Sequence, residues 1–258
     1  MPENLNRIPG LLSDALILVT GAGQGNGRAI AVGVAAAGAR VIVTDVRQDT
    51  AQSTADEILA SGGKAKACQL DVTDAEACTK LAEQVGSEVG AVNVLVNNAG
   101  IIIRETIDSP KAPENWRRVM DVNVNGIFNV VYAWLPSLRQ TRGNIINVAS
   151  IASFVGVGSA LGYSPSKGAV KMFTQALACD LATDGIRVNA IAPGVIATPM
   201  TASTREDPNR LAGFMTRTPL GRVGQPEELI GPVIFLASSM ASYVNGAILP
   251  VDGGFLAA

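Results

Sequence analysis

Seven short apolar runs alternate with stretches of helical pattern along this 258-residue chain. Each run is five or six residues long and rich in Val, Ile and Ala, which is typical of strands buried on both faces. Strands joined through helices make right-handed crossovers and therefore run parallel. The predicted strands cover residues 15–20, 39–44, 65–70, 92–96, 143–148, 187–192 and 247–251.

This alternation predicts an α/β fold. We expect one domain over residues 1–258, built as a three-layer, doubly wound parallel sheet of seven strands, which is the Rossmann fold. Residues 1–13 form an expected arm, and the polar segment 198–222 an expected lid or small excursion. The predicted helices cover residues 28–37, 50–61, 74–89 (with Asp74 as N-cap), 114–138, 163–184 and 226–238.

Composition excludes several classes of function. The chain has no His, which excludes a Ser-His-Asp hydrolase and a His-ligated metal site, and no metal is expected. A net charge of -2 gives no reason to expect nucleic acid or an anionic membrane as a partner. Three scattered cysteines, Cys68, Cys78 and Cys179, predict reduced thiols and a cytoplasmic protein. Neither a signal peptide in residues 1–12 nor a membrane span is expected.

A glycine-rich turn follows the first predicted strand. Gly21, Gly25 and Gly27 stand there, with Gln24 and Asn26 between them. Such a turn lets backbone N–H groups and a helix N-terminus approach a pyrophosphate. The simpler interpretation is a tight turn with incidental glycines, but its place at the first strand-helix junction favours a dinucleotide-binding site formed by these five residues.

An acidic residue ends the second predicted strand. Asp45 lies 24 residues after Gly21, where a carboxylate accepts hydrogen bonds from the adenosine ribose hydroxyls. The same charge repels a 2′-phosphate, so Asp45 predicts NAD, with NADP less favoured. Arg47 could offset part of that repulsion, although a solvated loop position explains it equally simply.

Tyr163 and Lys167 share one face of a predicted helix because they are four residues apart. Tyr is a poor acid-base group at neutral pH, since its pKa is about 10. A nearby ammonium favours the phenolate and lowers that pKa. Pairs with this spacing are common on solvated helix faces, so the meaning of this one depends on the rest of the chain.

Five motifs occur in the order and spacing of one known family. From about Leu12 to Phe255 the chain resembles the short-chain dehydrogenase/reductases. The motifs are the three glycines, the Asn-Asn-Ala-Gly run at 97–100, Ser150, the Tyr163/Lys167 pair and Pro193-Gly194.

The resemblance implies a catalytic role for four residues. Tyr163 is the general base for alcohol oxidation and the general acid for ketone reduction. Lys167 lowers the pKa of Tyr163 and bonds the nicotinamide ribose, so both residues also bind the cofactor. Ser150 holds the substrate oxygen, and Asn123 holds a water that links Lys167 to solvent.

The resemblance also implies further cofactor contacts, at the adenine, the ribose and the nicotinamide carboxamide. The adenine contacts are Asp71 and Val72, and the ribose contacts are Asn98, Ala99 and Gly100. The contacts to the nicotinamide carboxamide are Pro193, Gly194, Val195, Ile196 and Thr198.

We therefore expect an NAD-dependent oxidoreductase that interconverts a secondary alcohol, such as a sugar or polyol, and its ketone. The C-terminal run 245–255 is similar to that of sugar or polyol dehydrogenases and of 3-oxoacyl-carrier-protein reductases, so an NADPH enzyme of the second group is one alternative. A dinucleotide-binding regulator without catalysis is another. Family resemblance implies a homotetramer joined through helices 114–138 and 163–184 and the last strand. Arg205, Arg210 and Arg217 could clamp a substrate carboxylate or phosphate, although a solvated lid face is the simpler interpretation.

Overall fold

The computed structural model describes residues 10–258, and the expectations for residues 1–9 lie outside it. All seven predicted strands are present. They are β1 (Leu16–Val19), β2 (Arg40–Asp45), β3 (Lys64–Gln69), β4 (Val94–Asn97), β5 (Asn144–Val148), β6 (Arg187–Pro193) and β7 (Ile248–Val251). They form one parallel sheet in the order β3-β2-β1-β4-β5-β6-β7, which confirms the doubly wound fold.

Helices connect the strands on both faces of the sheet. They are α1 (Gly25–Ala36), α2 (Gln48–Ala60), α3 (Ala75–Glu88), α4 (Ala112–Met120), α5 (Gly126–Thr141), α6 (Tyr163–Asp180), α7 (Ala202–Arg205), α8 (Pro208–Met215) and α9 (Ile230–Ala237). The predicted cap of α3 is confirmed, because the Asp74 carboxylate accepts a hydrogen bond from the backbone N–H of Ala77.

Alternation along the strands sends side chains into two separate cores. In β1, Ile17 and Val19 pack with α1, α2 and α9, whereas Leu16 and Leu18 pack with α3, α5 and α6. All four side chains are fully buried, and each contributes about 1.5–3 kcal/mol of apolar burial. The sheet is therefore the middle of three layers, as the uninterrupted apolar runs predict.

The strand order reverses beside β1. β1 pairs with β2 on one side and with β4 on the other, so the connections from these strands diverge to opposite faces. In open parallel sheets, ligands bind in the crevice that such a reversal leaves at the carboxyl ends of the strands.

The predicted helix over 114–138 is not continuous. A π-helical turn, Asp121–Asn125, separates α4 from α5. Inside it, the Asn123 side chain donates a hydrogen bond to the backbone carbonyl of Ile101 and accepts one from the backbone N–H of Ile101. These two bonds tie the widened turn to the chain that follows β4. The helix-interior Asn thus explains an irregularity that apolar periodicity does not reveal.

The segment 198–222 contains two short helices, α7 and α8. A parallel bridge between Ile196 and Gly224 closes its base, and the backbone N–H of Leu220 donates to the carbonyl of Gly253 at 3.1 Å. The segment is thus an excursion from the sheet. Within residues 10–258, no helix has the length and apolar character needed to cross a membrane.

Candidate active site

A cleft of about 910 Å³ opens at the carboxyl ends of β1, β2 and β4. It lies at the reversal of strand order. Eleven of the predicted cofactor-binding residues line it, namely Gly21, Gln24, Gly25, Asn26, Asp45, Asp71, Val72, Asn98, Ala99, Gly100 and Thr198.

The glycine turn has the backbone geometry that the sequence predicts. Gly21 and Gly25 have φ angles of +60° and +55°, which side chains with a Cβ rarely adopt. A Cβ on Gly21 would also lie 2.8 Å from the Cα of Ala99. Helix α1 begins at Gly25, three residues before the predicted start, and Gln24 at its N-cap makes no side-chain capping bond. Its first N–H groups, with the positive end of the helix dipole, therefore fit a pyrophosphate.

Asp45 is held in a fixed position at the rim of this cleft. One carboxylate oxygen accepts from the backbone N–H of Gly23 at 2.9 Å, and the other from the backbone N–H of Arg47 at 3.1 Å. A carboxylate oxygen has a second lone pair, so both remain able to accept ribose hydroxyls. Asp45 fits the adenosine end of a dinucleotide.

Two residues predicted to contact the cofactor, Asn98 and Asp71, form hydrogen bonds to other parts of the protein through their side chains. The Asn98 amide donates to the carbonyls of Thr20 and Gly21, each at 2.9 Å, and this joins the ends of β1 and β4. The Asp71 carboxylate accepts from the N–H and hydroxyl of Thr73, at 2.9 and 2.7 Å. Both side chains therefore shape the cleft wall, whatever each contributes to a ligand.

Tyr163 and Lys167 lie together at the start of α6. The Lys167 ammonium nitrogen is 5.8 Å from the centre of the Tyr163 ring and donates to the carbonyl of Val148 at 2.7 Å. Only 4% of Lys167 is exposed. Ser150 follows β5, and its hydroxyl lowers the pKa of the Tyr163 phenol, which favours the ionised form. Lys167 is thus buried and Tyr163 is partly exposed, and neither lies on a fully solvated helix face.

Burial dominates the proton affinity of this cluster. It lowers the pKa of Lys167 from 10.5 to about 8. It also raises the pKa of the Tyr163 phenol, against the opposing effects of Ser150 and of the positive charge on Arg104. The predicted lowering of the Tyr163 pKa by Lys167 stays a prediction, because in the protein alone burial outweighs Ser150 and Arg104 and sets the direction of that pKa.

Asn123 reaches the same cluster from the π-helical turn. Besides its two bonds to Ile101, its amide donates to the Ser166 hydroxyl at 3.0 Å, and Ser166 in turn donates to the Tyr163 carbonyl. A Cβ on Gly100 would lie 3.2 Å from the Asn123 side-chain oxygen and 3.6 Å from the Lys167 nitrogen. Ser166 was missed from the sequence, although it lies inside the Tyr163–Lys167 span.

Comparison with known proteins identifies the family of this chain. Residues 21–256 match a family model described as enoyl-(acyl carrier protein) reductase. The chain is 39% identical over 249 residues to a cyclopentanol dehydrogenase of Comamonas sp. (strain NCIMB 9872), covering 96% of this chain and 99% of that one. It belongs to the short-chain dehydrogenase/reductase family.

Two further similarities fit the family. The chain is 42% identical to a galactitol 2-dehydrogenase (L-tagatose-forming) of Cereibacter sphaeroides, over 95% of this chain and 96% of the relative. It is also similar to a gluconate 5-dehydrogenase of Burkholderia cenocepacia J2315 solved in complex with NADP and tartrate. That structure has a TM-score of 0.91, 35% identity and coverage of 98% of both chains. The protein is therefore an NAD(P)-dependent oxidoreductase that interconverts a secondary alcohol and a ketone.

Several residues implied by the family resemblance do not line the large cleft. Pro193 ends β6, and Gly194, Val195 and Ile196 line a second cleft of about 650 Å³. Gly27 lies in α1, where a Cβ would be 2.3 Å from the carbonyl oxygen of Gly21. Thr198 alone of the 193–198 group reaches the large cleft, so a cofactor role for the others stays a prediction.

The three arginines considered for segment 198–222 all have partners in the protein. Arg205 donates to the carbonyl of Thr198 at 3.1 Å, Arg210 lies 3.5 Å from the Asp207 carboxylate, and Arg217 stacks over the Phe255 ring at 4.4 Å. The positive charge of a different arginine, Arg104, lowers the pKa of Tyr163 against the effect of burial. No local motif marks Arg104 in the sequence.

Proposed function

We propose that the protein is an NAD-dependent dehydrogenase of sugars, polyols or similar secondary alcohols, with Tyr163 as the acid-base group. The observation that carries the proposal is the buried Lys167 ammonium, fixed on the Val148 carbonyl beside the Tyr163 ring and the Ser150 hydroxyl. A buried ammonium without a carboxylate partner is costly. The free-energy cost of burying the Lys167 ammonium has a functional reason if a phenolate must form next to it.

Each residue of the cluster then has a chemical task. A bound nicotinamide dinucleotide would accept or supply the hydride, and its oxidised ring carries positive charge. Tyr163 accepts the hydroxyl proton during alcohol oxidation and returns it during ketone reduction. Ser150 donates to the oxygen on which negative charge develops. Lys167 favours the phenolate, and Asn123 positions the groups beside Lys167 through which a proton would pass to solvent.

The proton-transfer role is tested with Tyr163→Phe. We expect kcat for secondary alcohols with NAD to fall by about 10²-fold or more, while the Kd for NAD changes little because only the phenolic oxygen is lost. A panel of polyols, sugars, cyclic alcohols and acyl thioesters identifies the substrate through absorbance of reduced nicotinamide. Full activity in the variant would contradict the role of Tyr163. A higher kcat/KM for 3-oxoacyl thioesters with NADPH would instead favour the reductase alternative.

The preference for NAD rests on the fixed Asp45 carboxylate. Its two backbone hydrogen bonds fix a negative charge at the end of the cleft that would hold the adenosine, and this charge would repel a 2′-phosphate bound there. Asp45→Ala is expected to lower the kcat/KM ratio of NAD to NADP by roughly tenfold or more. A wild type that uses NADP with the higher kcat/KM would overturn the preference.

A homotetramer is also part of the proposal. Phe128 and Tyr132 stack at 6.0 Å on α5, and both are more than half exposed. Met172 on α6 is 60% exposed. Apolar side chains exposed together on neighbouring helices are typical of a subunit interface. Sedimentation at micromolar concentration tests the assembly, and a monomer would contradict it.

A further inference from the structure

Tyr163 lies at an end of helix α6 that the helix itself holds weakly. It is the first residue of α6, and Gly162 before it makes no side-chain capping bond. The Tyr163 N–H donates to the carbonyl of Ala160, which belongs to an irregular stretch of chain. Helix ends fray because their outermost groups have few partners within the helix. A phenol that exchanges a proton with a substrate needs a fixed position, so it needs support from outside α6.

Ser166 connects this helix start to the π-helical turn. Its hydroxyl donates to the Tyr163 carbonyl at 2.7 Å and accepts from the Asn123 amide at 3.0 Å. Ser166 and Asn123 are both 0% exposed, so bulk water cannot replace either bond. A serine hydroxyl carries one hydrogen, and here that hydrogen is committed to the Tyr163 backbone.

Asn123 extends the connection to the wall of the large cleft. Its amide also donates to the Ile101 carbonyl at 2.9 Å, and its oxygen accepts from the Ile101 N–H at 2.8 Å. Ile101 lines the cleft next to Gly100. A continuous series of hydrogen bonds therefore runs from the cleft wall through Asn123 and Ser166 to the Tyr163 backbone.

Lys167 is anchored separately, to β5 and the turn that follows it. Its ammonium donates to the Val148 carbonyl at 2.7 Å. Its own carbonyl accepts from the Ser153 hydroxyl, also at 2.7 Å. Loss of the Ser166 hydroxyl would therefore leave the anchors of Lys167 intact and remove one from Tyr163.

We propose that Ser166 is a positioning residue, which holds the Tyr163 phenol in a fixed place relative to the cleft wall at Ile101. Ser166 exchanges no proton with a substrate and acts through the Tyr163 backbone. Ser166→Ala removes one oxygen atom, frees that backbone and leaves one Asn123 N–H buried without a partner, which costs free energy. The inference rests on the proposed function, in which Tyr163 transfers the proton, and adds a supporting residue to it.

Thr174→Val is a matched control for Ser166→Ala. Thr174 is also 0% exposed on α6, and its hydroxyl donates to the Val170 carbonyl at 2.8 Å and accepts from the Asn147 amide at 2.9 Å. Both variants therefore lose the same two kinds of hydrogen bond, and both should unfold at a lower urea concentration than wild type. Of the two hydroxyls, only that of Ser166 bonds Tyr163.

Steady-state kinetics with NAD and the most active alcohol of the panel distinguish the two variants. Ser166→Ala should lower kcat by about 10- to 100-fold, while KM for the alcohol and Kd for NAD change by less than about threefold. The solvent deuterium isotope effect on kcat should also rise, because a displaced phenol slows proton transfer. Thr174→Val should leave all of these values close to wild type. Unchanged kcat in Ser166→Ala, or an equal loss of kcat in both variants, would overturn the proposal.

Ser166→Cys supplies a second variant of nearly the same shape. A thiol is a weaker donor and acceptor than a hydroxyl, so kcat should lie between the values of wild type and Ser166→Ala, again with KM little changed. Circular dichroism shows whether each variant is folded. If Ser166→Ala is not folded, the comparison of Ser166→Cys with Thr174→Val decides the proposal by the same criteria.

Hydrogen exchange distinguishes failure of this inference from failure of the proposed function. The Ile101 N–H is bonded to the Asn123 oxygen, so its exchange rate without substrate, followed by mass spectrometry, reports how firmly Asn123 is held. Exchange should be about tenfold or more faster in Ser166→Ala and unchanged in Thr174→Val. Faster exchange in Ser166→Ala together with a wild type that oxidises no alcohol would support the Ser166 connection and refute the proposed function. An active wild type in which Ser166→Ala changes neither exchange nor kcat would leave the proposed function standing and refute the positioning role.

Discussion

Replacing Lys167 by Met tests whether burial sets the proton affinity of the catalytic cluster. The ammonium is buried, has the Val148 carbonyl as its partner, and has a pKa of about 8 in place of 10.5. Met fills a similar volume and cannot ionise. The comparison of the two proteins therefore isolates the titration of one side chain.

The magnitude follows from the two pKa values. At 1.36 kcal/mol per pH unit, a shift from 10.5 to about 8 costs the folded state about 3 kcal/mol wherever both states would be protonated. The unfolded chain binds more protons between pH 8 and 10.5, so the stability of wild type rises with pH in that window. The penalty is full below pH 8 and disappears above 10.5. Between pH 7 and pH 9.5 the free energy of unfolding of the wild type should rise by about 2 kcal/mol relative to that of Lys167→Met.

Equilibrium unfolding in urea at both pH values, at one protein concentration, measures this difference. Other groups that titrate in the window, including Cys78 with a pKa raised to about 11 by burial, are common to both proteins and cancel. The pH stays below 10 because burial also raises the pKa of Tyr163. A difference in stability that is constant from pH 7 to pH 9.5 would refute the reasoning.

Two further substitutions test the close packing of the glycine turn and a buried hydrogen-bond network at the sheet. Gly23→Ala should raise the Kd for NAD by about tenfold or more, because its Cβ would lie 2.3 Å from the Thr50 hydroxyl and 2.8 Å from the Asp45 carboxylate. Calorimetric titration measures both Kd values, with Gly86→Ala on α3 as the control because a Cβ there has nothing within 4 Å. Equal Kd values for the two variants would contradict the steric argument. Asn147→Ala should lower the free energy of unfolding by about 2–4 kcal/mol, because the buried amide bonds both Asn97 and Thr174 at 2.9 Å. Urea unfolding checks it, and a loss below about 0.5 kcal/mol would show that the network is not stabilising.

The sheet could be predicted from the sequence because each strand is a local apolar run bounded by turn residues. Helix ends were predicted less well. Helix α1 begins at Gly25 and not at Arg28, because the glycines that would weaken a helix interior fall within its first turn. The π-helical turn at Asp121–Asn125 was not predicted, and the bonds that its Asn123 makes reach Ile101, 22 positions away.

The candidate site divides in the same way. The glycine turn, Asp45 and the Tyr163/Lys167 pair are found from local spacing and Ser150 from the family resemblance, and the structure brings them to one edge of the sheet. Arg104 could not be found, because its partners lie 99 and 100 positions away. Nor does spacing give the direction of the Tyr163 pKa shift, which depends on how much water the fold removes.

Burial acts in opposite directions on the two members of the catalytic pair. It makes the phenol of Tyr163 harder to ionise and the ammonium of Lys167 easier to lose. At neutral pH the pair is therefore a protonated phenol beside a charged Lys167, which is the state that donates a proton to a ketone oxygen. Accepting a proton from an alcohol requires additional positive charge near the phenol. Arg104 already supplies part of it, and the positive charge of an oxidised nicotinamide bound in the cleft would supply more.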